Sequence, residues 1–162
     1  MEEIECATDD AAFEILIHPT PKTPLEAKFS MPYCLSVAFL ERDVFINHFT
    51  KEKLEDPRIL RVMKKIRHVS DSEIAARGFE YRGASRVKIM LKDGQELCET
   101  VEKRRGDPQN PLSHQEMIGK FHHCAAGILD DAKTDSLVNR MNHLENEKDI
   151  SRLIADLNDK NA

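Results

Sequence analysis

The chain has no tryptophan, and aromatic residues make up only 6 % of its 162 residues, so a core must be built mainly from aliphatic side chains. Its four cysteines, Cys6, Cys34, Cys98 and Cys124, show no C-x-x-C spacing and no paired Cys/His motif. That spacing excludes a zinc-finger pattern and gives no reason to expect a disulfide framework. No window approaches the 18 or more consecutive apolar residues of a membrane span. An excess of positive charge is also missing: the net charge is −5 and the pI near 5.8, which argues against general nucleic-acid binding. The basic runs Lys64-Lys65-Ile66-Arg67 and Lys103-Arg104-Arg105 sit among acidic residues and read as solvated faces or anion contacts. The acidic start, Met1-Glu2-Glu3-Ile4-Glu5, lacks the basic and apolar regions of a signal peptide, so a cytosolic location is expected, or an organelle reached through a leader.

What is present is a soluble globular composition, 40 % hydrophobic and 33 % charged, at a length that suits one domain spanning 1–162. Ile4 to Thr8 alternates like a short strand, followed by a turn or short helix through Ile17. Pro19, Pro21 and Pro24 fix a loop, after which Met31 to Leu40 reads as a helix with Leu35, Ala38 and Phe39 on its apolar face. Thr50 is placed to cap a helix over residues 51–54. Asp56-Pro57 starts another, with Ile59, Leu60, Val62, Met63 and Ile66 in a three-four pattern. Arg67 to Asp71 is strand-like.

From Ala84 the period changes to two, and Asp93-Gly94 joins Arg86–Lys92 to Glu96–Lys103 as a hairpin. Val87, Ile89 and Leu91 should share one buried face, packed on helices carrying Ile59, Leu60, Phe121 and Ile128. Ser113 and Glu116 form a capping box for a long helix, and two more helices follow around 135–144 and 149–157. Helices, then an antiparallel hairpin, then helices imply an α+β two-layer sandwich with a hairpin sheet packed against several helices.

The segment Glu26-Ala27-Lys28-Phe29-Ser30-Met31-Pro32-Tyr33 concentrates a lysine, a serine and a tyrosine at the mouth of the first long helix. A helix start of this kind favours an anionic ligand. Ser30 serves equally well as an N-cap, and Lys28 as an exposed loop lysine. Two other features carry no chemistry. His122 and His123, about 100° apart on a helix, cannot comfortably share one metal, so no metal is expected. Residues 106–111 lack the glycines and Lys-Ser/Thr of a phosphate loop and read as a turn.

Ala27 to Tyr33, Leu91-Lys92-Asp93-Gly94, Gly106-Asp107-Pro108 with Asn110-Pro111, and Lys120-Phe121 occur in order across about 100 residues. In that order and spacing the chain resembles the C-terminal region of the MmgE/PrpD family, which includes 2-methylcitrate dehydratase and cis-aconitate decarboxylase. The resemblance implies a lid domain alone, the family's helical N-terminal domain being absent. Catalysis would need that helical domain as a partner, in cis or in trans. It implies a lyase or isomerase acting on a small polycarboxylate without a cofactor, with no nucleic-acid or membrane partner. Tyr33 is the catalytic residue it implies, with Lys28 and Ser30 as substrate-binding candidates, all on a solvent-accessible surface flanked by exposed apolar side chains such as Met31. A non-catalytic regulatory module, or a remnant that docks on a helical partner domain, is the alternative.

Overall fold

Alternation of small and branched apolar residues with glutamates makes Glu3–Thr8 (β1) a strand with one buried face, Ile4, Cys6 and Thr8. In the computed structural model, which describes residues 1–158, β1 is central in a four-stranded sheet. The elements after it are α1 (Ala11–Ile15), α2 (Pro24–Ala27), α3 (Met31–Glu41), α4 (Lys51–Leu54) and α5 (Pro57–Met63). They are followed by β2 (Ile66–Ser70), α6 (Ser72–Ala76), β3 (Ser85–Met90) and β4 (Glu96–Val101). The strand order is β2-β1-β3-β4. The α+β class expected from the sequence is what the chain adopts, but the sheet is mixed. β1 runs parallel to β2, with Ile4 opposite Ile66, and antiparallel to β3, with Ile4 opposite Ile89. Helices α1 to α5 form the crossover that a parallel pair requires.

Two compact units divide the described residues at Pro111, one covering Met1–Pro111 and the other starting at Leu112. In the first, Ile4, Val62 and Ile66 are buried together, with Leu35, Leu40, Val87 and Ile89 packed against them. Val87 and Ile89 therefore face the core as their alternation predicts, while Met90 is exposed. Leu60 and Ile128, expected beneath the hairpin, are 40 % and 63 % exposed. Helix α5 turns Ile59 and Val62 inward instead, and a residue one position away from an inward one points about 100° aside. The opposite sheet face carries charge: Arg67 bridges Glu3 and Glu5 at 3.3 and 3.4 Å, and Lys88 faces Glu96.

Local signals end most elements where the sequence places them. Thr50 Oγ1 accepts the Lys53 N–H, and Asp56 accepts the Arg58 N–H ahead of Pro57. The Arg58 guanidinium holds the Asp56 carboxyl down at about 2. Gly94 closes the hairpin at φ +84°, a left-handed conformation that suits glycine after a short turn.

The second unit holds α7 (His114–Ala125), α8 (Asp131–Asn142) and α9 (Ile150–Asn158). Ser113 and Glu116 make the reciprocal capping box in front of α7. Helix α8 starts four residues before the expected point because Asp130 caps it through the Lys133 N–H. Arg140 ties α8 to Glu147 at 2.6 Å and to Asp156 on α9, which raises its own pKa and holds the Glu147 carboxyl below its usual range. Among the described residues, no helix is long and apolar enough to cross a membrane.

Candidate functional site

Helix α3 begins as its sequence dictates. Ser30 Oγ accepts the Tyr33 N–H at 3.3 Å, and Pro32 occupies the first turn, where a missing N–H costs nothing. The rest of the segment departs from the expected solvent-facing surface. Ser30 and Tyr33 are both 0 % exposed, so Ser30 acts as a cap inside the core. The Tyr33 ring packs among Ala27, Val37, Leu54 and Ile59 and lies 5.8 Å from the Phe49 ring. Its hydroxyl donates a 2.6 Å hydrogen bond to the His48 carbonyl. His48 is itself buried, and its Nδ1 accepts the Phe45 N–H at 2.9 Å.

Burial, with smaller contributions from Cys34 and Asp56, pushes the Tyr33 phenol up to about 12. A phenol in this setting keeps its proton and locks the 45–49 turn to α3, so the expected accessible tyrosine is corrected to a core residue. The reason is geometric: Tyr33 and Val37 are one helical turn apart and share a face, with Ser36 beside them. That face is the fully buried one, while Leu35 packs half-buried against Ile4, Val62 and Ile66, and Phe39 is 37 % exposed.

Lys28 is exposed, as an ordinary loop lysine is. The exposed apolar residues near the segment are Ile15, Ile17, Leu25 and Phe29, whereas Met31 is half-buried. The His18 N–H bonds the Phe29 carbonyl at 3.2 Å, which brings the Ile17 and Phe29 ends of this surface together.

Met31 instead lines a cleft of about 810 Å³ in the first unit, together with the end of β1, helix α1 and residues 79–85 and 103–109. Apolar walls come from Ile15, Leu16 and Phe79, and three cations line it: Arg82, Lys103 and Arg104. Lys103 is fixed, donating to the Glu80 carbonyl at 2.6 Å and lying 4.4 Å from the Tyr81 ring centroid. Arg77 takes a position 4.0 Å from the same centroid, so Tyr81 has two cations on it and the Phe79–Tyr81 turn is pinned. Arg82 follows that turn, its guanidinium 4.8 Å from the Phe79 centroid.

Arg104 lies along Gly83, and a Cβ at that position would come within 2.8 Å of Arg104 Cδ. Gly83 has φ +85°, and it is this conformation that favours glycine there, since the exposed Arg104 side chain is flexible enough to move aside. The carboxylates of the cleft already have backbone or side-chain partners. Asp9 accepts the Ala12 and Gly83 N–H groups, Asp107 accepts the Gln109 N–H, and Glu80 faces Lys103. None of these arginines was singled out by sequence. The only signals were the Lys103-Arg104-Arg105 run, read as a solvated face or anion contact, and a turn that the fold makes one wall of the cleft.

A second cavity, about 640 Å³, lies over His68, whose ring stacks on Phe13 at 4.1 Å and 7°. His68 Nε2 and Thr8 Oγ1 are 2.8 Å apart. Burial lowers the His68 pKa below the ordinary 6.5. Since the folded state resists protonating this ring, its share of stability is present above pH 6.5 and is lost as pH falls through the lowered value. The melting temperature should drop on acidification below pH 6.5, and His68→Gln should flatten that part of the profile. An unchanged slope in the variant would show that His68 has no part in it.

His122 and His123 diverge. His122 Nε2 lies 3.3 Å from Asp135, and His123 Nδ1 lies 2.8 Å from the Gly119 carbonyl. Among the described residues, no cluster of three His, Cys, Asp or Glu side chains has the arrangement of a metal site.

Residues 1–144 match the MmgE/PrpD C-terminal domain. The chain is 24 % identical over 140 residues to a cis-aconitate decarboxylase of Aspergillus terreus, covering 85 % of this chain and 28 % of that protein. It is 26 % identical over 137 residues to the cis-aconitate decarboxylase of Mus musculus, covering 83 % of this chain and 27 % of that protein. The chain thus spans about 28 % of the length of the curated relatives it matches.

Proposed function

From the premise that this chain belongs to the MmgE/PrpD family, we propose that it works as the C-terminal domain of a lyase or isomerase on a small polycarboxylate. The observation that carries this reading is the family match across residues 1–144. The exposed Ile15, Ile17, Leu25 and Phe29 support it, because a surface of this kind on a small unit suits burial against a partner, here the helical domain of such an enzyme. The cations of the cleft suit the carboxylate groups of the substrate, and their charge would stabilise the anion that forms as the reaction proceeds.

The reaction begins with removal of a proton from the carbon beside a carboxylate, or with loss of CO₂ that leaves an electron pair there. That pair then expels a neighbouring hydroxyl as water or is quenched by a proton. The base and acid are assigned to the helical domain. Tyr33 receives a positioning role, since its hydroxyl is committed to the His48 carbonyl.

The test joins this chain to the helical domain of a cis-aconitate decarboxylase and measures turnover of cis-aconitate and 2-methylcitrate. Turnover by the joined protein, and none by this chain alone, is expected. A folded joined protein that is inert on both acids counts against the reading, and turnover by this chain alone overturns the two-domain argument.

A further inference from the structure

We propose that the cavity over His68 binds a small neutral aromatic molecule with one N–H or O–H donor, of the indole or phenol kind, which His68 Nδ1 accepts. The cavity lies wholly within Met1–Pro111, and none of its other lining residues has a charged side chain. It therefore goes beyond the lyase reading, because a polycarboxylate finds nothing to pair with here.

The histidine is the first argument. Its Nε2 lies 2.8 Å from Thr8 Oγ1, and that hydroxyl sends its single proton to the Asp9 carbonyl at 3.2 Å. Thr8 thus accepts from the ring, so the proton of the neutral imidazole sits on Nε2 and Nδ1 is a bare acceptor. Nδ1 has no hydrogen-bond partner among the described residues. Every sealed-in side-chain nitrogen or oxygen among them does have one, so Nδ1 is open to the space that the ring lines. Burial holds the His68 pKa below its usual 6.5, which keeps the lone pair available at neutral pH. The stacked Phe13 ring, 4.1 Å away, fixes the imidazole in place. A residue that only filled this space would do so as well with a phenyl ring. A lone pair set in an apolar wall costs free energy until a donor meets it.

The second argument is shape and polarity. Leu16, Ile17, Met63 and Ile66 give the space aliphatic walls, and Pro19 and Pro32 add side chains with no rotamer freedom to lose when covered. A volume of about 640 Å³ lies within the range of small-molecule sites. Thr20 is the only other polar side chain in the lining, so the cavity asks for one donor on an otherwise apolar body. The Nδ1 lone pair lies in the plane of the imidazole, and an indole N–H lies in the plane of its own ring. A flat ligand therefore meets the histidine edge to edge while its faces cover the aliphatic walls. Ile17 also belongs to the surface assigned above to the helical domain, so uptake is measured on this chain without that domain.

Because the chain has no tryptophan, indole can be titrated with the full chain at neutral pH and followed through its own emission, excited beyond the tyrosine band. Saturable binding is expected. N-methylindole, which has a closely similar shape but no donor, should bind about tenfold more weakly. His68→Phe keeps a ring against Phe13 but removes the lone pair, and should bring indole down to the level of N-methylindole. Ile17→Glu should weaken both ligands about tenfold or more by putting a charge in the wall. Leu97→Glu, at another exposed apolar residue, on β4, should weaken neither. Nitrogen NMR, with the His68 signals identified by their loss in His68→Phe, should show Nε2 protonated and Nδ1 bare, and indole should shift Nδ1.

Ile17 and Leu97 are exposed, so both glutamate variants should fold, which circular dichroism checks. The proposal is overturned by absence of saturable binding, by N-methylindole binding as tightly as indole, by Leu97→Glu weakening binding as much as Ile17→Glu, or by a proton on Nδ1. Because the ligand is neutral and the chain is tested alone, its failure leaves the lyase reading standing, and an inert joined enzyme leaves this cavity standing.

Discussion

Replacing Tyr33 with alanine should cost the first unit about 3–5 kcal/mol, the range for deleting a buried aromatic side chain. Phenylalanine should cost about 1–3 kcal/mol, because the ring is kept but the buried His48 carbonyl loses its donor. Native domains have only about 5–15 kcal/mol in hand, so the alanine variant should be close to unfolding at ambient temperature. Urea denaturation of the isolated chain measures both. The contrast with a cleft tyrosine is sharp. A phenol on an accessible surface contributes almost nothing to folding, and its phenylalanine variant should stay within about 0.5 kcal/mol of the parent. A stable Tyr33→Phe protein would return Tyr33 to the list of candidate ligand-contacting residues.

Ile4→Ala should be comparably severe, at about 2–5 kcal/mol. Ile4 is 2 % exposed and sits where the sheet changes sense, opposite Ile66 on the parallel side and Ile89 on the antiparallel side. Its methyl groups also touch the layer set by Val62, so a cavity there is bordered by two strands and a helix that cannot all close in. Glu5→Ala on the opposite face should change stability by less than about 1 kcal/mol, since it removes one exposed ion pair with Arg67. Equal losses at the two positions would mean that the sheet buries both faces, and the register assigned to β1 would be wrong.

These two positions also mark how far the sequence could be read. The tyrosine stood out for the right reason, its place at a proline-started, serine-capped helix, yet was put on the wrong side of that helix. Pro32, Ser30 and the dipeptide Asp93-Gly94 act on backbone atoms within about four residues, and they appear where expected, as do Thr50, Asp56-Pro57 and the Ser113–Glu116 box. The β3–β4 alternation told which residues face inward, because a strand has only two faces and Val87 and Ile89 share one. A helix has no such economy. Leu35, Phe39 and Val37 are all apolar, and only the neighbours decide which of them is covered.

By itself, then, the chain's sequence determined its α+β class, most of its helix starts, its hairpin and its family, since those depend on short-range backbone chemistry or on motifs kept in order. Tertiary structure alone decided the rest. The parallel pairing of Ile4 with Ile66, the closing of the 45–49 turn over Tyr33 and the meeting of Arg104 with Gly83 each join residues well apart in the chain. Such contacts leave no periodic trace in sequence. They form because the apolar faces of β1, α3 and α5 can leave water together in only one arrangement, and the cleft with its arginines is the space left beside it.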